Sequence, residues 1–243
     1  GRPDNSGLAQ QPGMTAQASA RLVAVLAGKV RDFPATEEVG RFARPWRSAF
    51  VKEALSGTVH VGRLGVEGDE VADTKVHGGP EQSVLAYPFE HYQRWRSESG
   101  VEAMGPGGFG ENLCIDGLDE SSVCIGDSYK IGSVLLQVSL PRLPCASIDR
   151  RWRRKGLMKQ VGDLSRTGWY FRVLQEGTLT PSDRVLPTAR PFPDWTVKRV
   201  LQLRLHNSKE SLGEAAQLAE CELLASHWRE HFAQRINRAA GSL

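Results

Sequence analysis

A mainly β domain followed by a small all-helical unit is the architecture this sequence predicts. Three observations carry the prediction. From Arg21 to about Gln137 the apolar runs are short, and glycines punctuate them at Gly78-Gly79, Gly105–Gly110, Gly117, Gly126 and Gly132; short strands divided by turn signals argue for a barrel or sandwich. Pro187, Pro191 and Pro193 then crowd one stretch, which reads as a linker. Beyond it Val197, Val200, Leu201 and Leu205, then Leu212, Ala215, Ala216 and Ala219, then Leu223, Leu224, Trp228 and Phe232 recur at helical spacing.

The elements follow in order. Residues 1–19 are rich in Gly, Gln, Ser, Ala and Pro and read as a disordered leader, with Met14 a candidate natural start. Leu22–Ala27 is an apolar run too short for a membrane span and reads as the first strand. A helix is expected near Phe89–Ser97, where Pro88 suits the entry turn. Ile125–Gly132 followed by Val134–Val138 reads as two strands joined by a tight turn. Ser147–Gln160 is expected to be helical, and Asp194 is placed to cap the first helix of the tail. The resulting division is a leader at 1–19, a β domain at 20–190 and a helical appendage at 191–243.

Composition narrows the function classes. The chain has 243 residues, 40% hydrophobic and 24% charged, an ordinary globular mixture. A net charge of +3 does not argue for nucleic acid, and the acidic Glu210, Glu214, Glu220 and Glu222 argue against a DNA-binding tail. No segment suits a membrane. The four cysteines, Cys114, Cys124, Cys145 and Cys221, form no CxxC and no zinc spacing. Reduced thiols in the cytoplasm fit that usage, with disulfides among the four as the alternative. No GxGxxG opens a helix and no Walker A motif is present, so a nucleotide-fold reading fails.

The chemistry concentrates in three segments. Pro141-Arg142-Leu143-Pro144-Cys145 follows the apolar run 133–138, so a thiol sits where a strand hands over to irregular backbone. Arg142 offers a cation beside the thiolate, the form that attacks electrophiles or binds soft metals. A small buried core cysteine is the alternative on the residues alone. Gly105–Asn112 is a glycine loop whose amides could approach an anion; a plain surface loop is the alternative. Glu67–Asp73 followed by Lys75-Val76-His77-Gly78-Gly79 offers proton-transfer groups, or simply a charged turn. The run Arg150–Lys155 around Trp152 reads as a solvated face or as a docking patch for an acidic partner.

Together these segments resemble the MOSC family, in its stand-alone YiiM-like branch. The likeness rests on Leu64-Gly65-Val66-Glu67-Gly68-Asp69-Glu70 running into Lys75-Val76-His77-Gly78-Gly79-Pro80, on Ala86-Tyr87-Pro88-Phe89-Glu90-His91-Tyr92 with Trp95, and on Phe109-Gly110-Glu111-Asn112-Leu113. Gly126-Asp127, Gln137-Val138-Ser139, Pro141–Cys145 and Gly168-Trp169-Tyr170 continue it, over roughly Arg21 to Leu186. One departure is Ser83-Val84-Leu85, where the branch usually has Arg-Ala-Val or a similar string.

The resemblance implies a MOSC-type β-barrel with a three-helix appendage. It implies a molybdenum–pterin cofactor (molybdopterin) with Cys145 as the protein thiolate on molybdenum. The implied activity is reduction of N-hydroxylated compounds such as hydroxylaminopurine bases, a chemistry independent of pyridoxal phosphate. His77 and Asp69 are then candidates for proton handling. Lys75, Arg142 and the loop residues Gly108, Gly110, Glu111 and Asn112 are candidates for holding the cofactor. The implied partners are a small N-hydroxylated substrate and a separate electron-donor reductase, because the chain has no iron–sulfur cysteine cluster and no dinucleotide fingerprint. Oligomeric state stays open. The alternative from another class is a sulfur-carrier or cofactor-binding module with a persulfide on Cys145 and no turnover.

Overall fold

The structure is a computed structural model, and it describes residues 19–37, 40–71 and 78–241. Residues 1–18 of the expected leader, and Lys75 and His77, lie outside the described residues.

Strand β1 (Arg21–Ala27) is followed by β2 (Arg31–Phe33), β3 (Trp46–Ser48), β4 (Glu53–Leu55), β5 (Val59–Gly62), β6 (Gly65–Val66) and β7 (Val84–Pro88). Helix α1 (Glu90–Ser99) leads to β8 (Leu113–Asp116), β9 (Ser128–Ile131) and β10 (Val134–Pro141). Helices α2 (Ala146–Trp152) and α3 (Leu157–Asp163) precede β11 (Trp169–Gln175), β12 (Gly177–Leu179) and β13 (Val185–Ala189). The chain closes with α4 (Val197–Leu205), α5 (Leu212–Ala219) and α6 (Ser226–Ala240).

Eight strands form one sheet in the order β13-β9-β10-β11-β7-β8-β1-β4. Its ladders are antiparallel except β7–β8, which pair in parallel across the α1 crossover, as parallel neighbours require an intervening connection. The β9–β10 hairpin turns in two residues, with Val134 opposite Ile131 and Gly132 at φ 58°.

The expected barrel does not close. The sheet ends at β13 and β4. Leu22 N–H donates to Asp183 O at 2.9 Å and Val185 N–H to Ala20 O at 2.9 Å, which brings the front of β1 to the front of β13 through a single bridge, Arg21 to Arg184. The far half of β1, from Val25 to Ala27, pairs with β4 instead. With its bonding groups divided in this way, β1 cannot form a full ladder with β13.

Two further expectations are corrected by local hydrogen bonding. The segment 147–160 is two helices rather than one, broken where Arg153 takes φ 50° and Gly156 φ 88°. Buried Asp149 holds the break, accepting Gly156 N–H at 3.0 Å and Met158 N–H at 2.6 Å. At the start of α4 the capping side chain is Thr196, whose hydroxyl accepts Arg199 N–H at 3.2 Å. Thr196 sits at the N-cap position three residues before that amide, and Asp194 lies too early.

The main buried cluster runs from β1, β8, β10 and β11 into Val197, Val200, Leu201, Leu218, Trp228 and Phe232, so the C-terminal helices pack on the sheet through one continuous core. A second cluster lies under the glycine loop, built from Tyr87, Tyr92, Trp95, Phe109, Ile148 and Val161. Glu81 ties the helices to the turn before β7: its carboxylate accepts Ser226 N–H at 3.1 Å and Ser226 Oγ–H at 2.7 Å. Among the described residues no helix is long and apolar enough to cross a membrane.

Candidate functional site

Strand β10 is held by β9 on one side and β11 on the other. The loop Arg142–Pro144 therefore leaves a fixed point, and Cys145 sits at the head of α2 with extended backbone, φ −127° and ψ 162°. Its thiol is free and half-buried. A cleft of about 310 Å³ opens over it, lined by Cys145, Arg142, Asp69, Lys52, Asn112 and Tyr170 among others. The three segments singled out by sequence meet here, through Asp69 and Gly78, Gly110 and Asn112, and Arg142 and Cys145.

Arg142 is 4% exposed. Its backbone N–H donates to Gly168 O at 3.1 Å, its guanidinium lies 5.8 Å from the Phe50 ring centre, and Nη2 donates to Cys145 Sγ at 3.8 Å. Nη1 is buried and has no hydrogen-bond partner among the described residues. Among the described residues no carboxylate pairs with this guanidinium. A buried cation without an oxygen partner is costly, and the cost falls when an anion enters the cleft.

Tyr170 also lines the cleft. Burial pushes its phenol above the ordinary value, Arg142 opposes that shift, and Cys145 and Asp69 add to it. The phenol therefore stays protonated at neutral pH and can donate a hydrogen bond. Phe50 and Phe109 supply apolar wall.

Asp69 is anchored from three sides. Gly28 N–H donates to its Oδ1 at 2.8 Å, Lys52 Nζ to the same oxygen at 2.5 Å, and Asn112 Nδ2 to its Oδ2 at 2.7 Å. Asn112 is fixed in turn, accepting Leu85 N–H at 3.0 Å on Oδ1 and donating to Leu26 O at 3.2 Å. One amide thus joins β1, β7 and the cleft wall.

Gly108 and Glu111 do not line the cleft. Glu111 is fully buried behind the loop and accepts Tyr92 O–H at 2.5 Å, Gly107 N–H at 2.7 Å and Phe109 N–H at 3.2 Å. Burial outweighs these donors and raises its carboxyl above the ordinary value. Gly108 N–H donates to Gly105 O at 2.9 Å and Gly110 N–H to Gly107 O at 3.2 Å. These amides are engaged within the loop, which serves as wall rather than as an anion cradle. Its glycines are needed for close approach: a Cβ on Gly108 would lie 2.8 Å from Trp152 Cζ2, and Trp152 donates its indole N–H to Gly108 O at 2.8 Å. That bond joins the loop to the helix headed by Cys145.

Lys52 and Phe50 are among the cleft residues that sequence reading missed; of the two, Lys52 carries the charge. It stands in no motif and in no periodic run, and only the buried ion pair with Asp69 marks it.

Comparison with known proteins follows the same lines. Residues 73–186 match the MOSC domain and residues 195–239 match the YiiM-like, 3-alpha helix domain. The protein YiiM of Escherichia coli (strain K12) is 34% identical over 187 residues, 76% of this chain and 79% of that protein. The chain belongs to the MOSC family, in its YiiM-like branch. A protein of Gibberella moniliformis (strain M3125 / FGSC 7600) called a reductase is 38% identical over 181 residues, 72% of this chain but 32% of that longer protein. The crystal structure of YiiM from Geobacillus stearothermophilus superposes with a TM-score of 0.74 at 28% identity, covering 89% of this chain and 99% of that one. The family and the mostly-sheet fold with C-terminal helices are therefore as the motifs implied, apart from the open sheet.

The residues of this MOSC cleft fit the cofactor that the family implies. A soft thiol, a buried guanidinium with a partnerless nitrogen and aromatic walls suit a metal, a phosphate and a planar ring. Among the described residues no three His, Cys, Asp or Glu side chains cluster to hold a metal by themselves.

Proposed function

We propose that this protein is a molybdenum-cofactor-dependent reductase of N-hydroxylated compounds, hydroxylaminopurine bases among them. The observation that carries the reading is Arg142 beside Cys145 in one cleft, with its Nη1 buried and, among the described residues, without a partner. The fungal relative called a reductase supports the reaction class.

When bound, the cofactor supplies the two-electron capacity that no side chain has. Cys145 offers the thiolate for the metal. Arg142 and, from the sequence, Lys75 offer cations to the pterin phosphate. Gly110 and Asn112 shape the wall beside it. Tyr170 and Phe50 enclose a planar substrate and exclude water. Asp69 fixes the wall opposite, and His77 is retained from the sequence as a proton-handling group. Reduction of an N–OH group consumes two electrons and two protons and yields an amine and water. The electrons come from a separate reductase, docked on the basic run Arg150–Lys155 that follows Cys145 at the end of α2 and the break after it. The reading places the protein in the cytoplasm, where its four free thiols stay reduced.

The test is turnover of a hydroxylaminopurine by protein made in a cofactor-competent host, first with NADH or NADPH alone and then with reduced viologen or a flavin reductase. Turnover confined to the second arm is expected. No turnover in either arm, with molybdenum present, would remove the reductase reading.

A further inference from the structure

Lys52 is 7% exposed at its side chain, stands in the wall of the cleft, and is paired with Asp69, itself 13% exposed. The ammonium has three N–H groups. One goes to Asp69 Oδ1 at 2.5 Å and one to Ala49 O at 3.3 Å, and among the described residues the third has no acceptor and is left for a ligand.

Among the described residues the hydrogen bonds to the Asp69 side chain have fixed directions. Gly28 N–H can only donate. Asn112 must present its NH2 to Asp69, because its oxygen is occupied by Leu85 N–H. The Lys52 ammonium can only donate. These three neighbours all give hydrogen bonds to Asp69, so its carboxylate is the acceptor of the cluster. Within this pair Lys52 is the hydrogen-bond donor, and Asp69 holds it in place.

We propose that Lys52 hydrogen-bonds the hydroxyl oxygen of an N-hydroxylated substrate and gives it the proton with which it leaves as water. The proposal rests on the reductase reading above. The N–O bond breaks and the electron pair from the external donor ends on nitrogen. The oxygen, already carrying one hydrogen, takes a second from Lys52 and departs as water. Nitrogen takes its proton from solvent, and solvent returns one to Lys52. Two electrons and two protons enter, and amine and water leave.

The experiment has a binding arm and a turnover arm. In the binding arm, calorimetry on the metal-free protein compares 6-hydroxylaminopurine with its amino product, adenine. Wild type should prefer the hydroxylamino base about tenfold, the scale of one hydrogen bond from a charged donor. Lys52→Gln should bring the ratio near one, and Lys52→Arg should keep it. In the turnover arm, loaded protein with reduced viologen should slow about 10²-fold or more in both variants, because a guanidinium does not give up its proton. Molybdenum content should stay at the wild-type level. If Lys52→Gln fails to fold, the split in Lys52→Arg between kept binding preference and lost turnover decides the matter. Wild-type turnover in Lys52→Arg, or a wild type with no preference between the two bases, would overturn the assignment while leaving the reductase reading in place. No turnover by loaded wild type would overturn both.

Discussion

Arg142 Nη2 lies 3.8 Å from Cys145 Sγ, while Nη1 of the same guanidinium is buried without a partner among the described residues. One cation thus touches the thiol and, among the described residues, keeps a buried nitrogen without a partner. The fork geometry of arginine matters here, since a planar guanidinium can serve two acceptors at once.

Arg142→Lys is therefore expected to behave as a loss. It keeps the charge and removes one arm of the fork. Pterin content of purified protein should fall about tenfold or more, the scale of one charge-assisted hydrogen bond, with little change in melting temperature. Unchanged pterin content would show that the free nitrogen does not serve the cofactor.

The cysteines should separate by reactivity. Burial pushes the Cys124 thiol up to about 12, and Cys114 and Cys221 are also pushed up by burial. Little thiolate forms at those sites near pH 8. Brief alkylation of the folded protein should label Cys145 first, as read by peptide mass mapping. Equal labelling of Cys114 would contradict the burial described here.

Glu111 predicts a pH dependence of stability. Its carboxyl is raised from 4.5 by burial. A group raised in the folded state stabilises fully below its unfolded value, and that contribution is lost as pH rises through the folded value. Urea midpoints of wild type and Glu111→Gln, taken at pH 4.5 and 7.5, should therefore differ in wild type's favour most at the lower pH. A wild-type advantage that grows with pH would reverse the sign and reject the assignment.

Gly110→Ala should destabilise by about 1–3 kcal/mol. The position has φ +77°, and the added Cβ would meet Phe50 Cδ2 at 2.8 Å. Phe50→Leu should relieve part of that loss in a double-mutant cycle. Additive effects would mean that the two residues do not press on each other.

Donor docking should respond to charge. Arg154 and Lys155 are exposed at the break between α2 and α3. Arg154→Glu with Lys155→Glu should slow turnover with a donor protein at low salt and leave turnover with reduced viologen unchanged. The difference should shrink as salt screens the exposed charges, over about 10 Å at 0.1 M. Equal rates with the donor protein at low salt would remove the patch.

Much of this was legible in the sequence for physical reasons. Strand runs, the Gly132 turn and the helical tail are local signals, and the order of motifs pointed to Cys145, Arg142 and Asp69 meeting in one cleft. What sequence hid depends on distant partners. Lys52 gains its meaning only when Asp69 folds against it, across 17 positions of chain. Glu111 looked like a ligand because it sits in a glycine loop, yet its oxygens turn inward to the loop's own amides. The unclosed sheet follows from how the bonding groups of β1 are shared, which no periodicity records.

Metal and pterin content decide whether Cys145 holds the metal of a pterin cofactor in this cleft. The most direct test is the molybdenum and pterin content of wild type, Cys145→Ser, Cys114→Ser and Cys124→Ser, all made in a cofactor-competent host. The account predicts about one molybdenum and one pterin per chain in wild type and in the Cys114 and Cys124 variants, with molybdenum lost from a folded Cys145→Ser, since a hydroxyl is a harder and less acidic ligand than a thiol. Equal molybdenum in all four proteins, or sulfane sulfur on Cys145 with no metal in wild type, would contradict it.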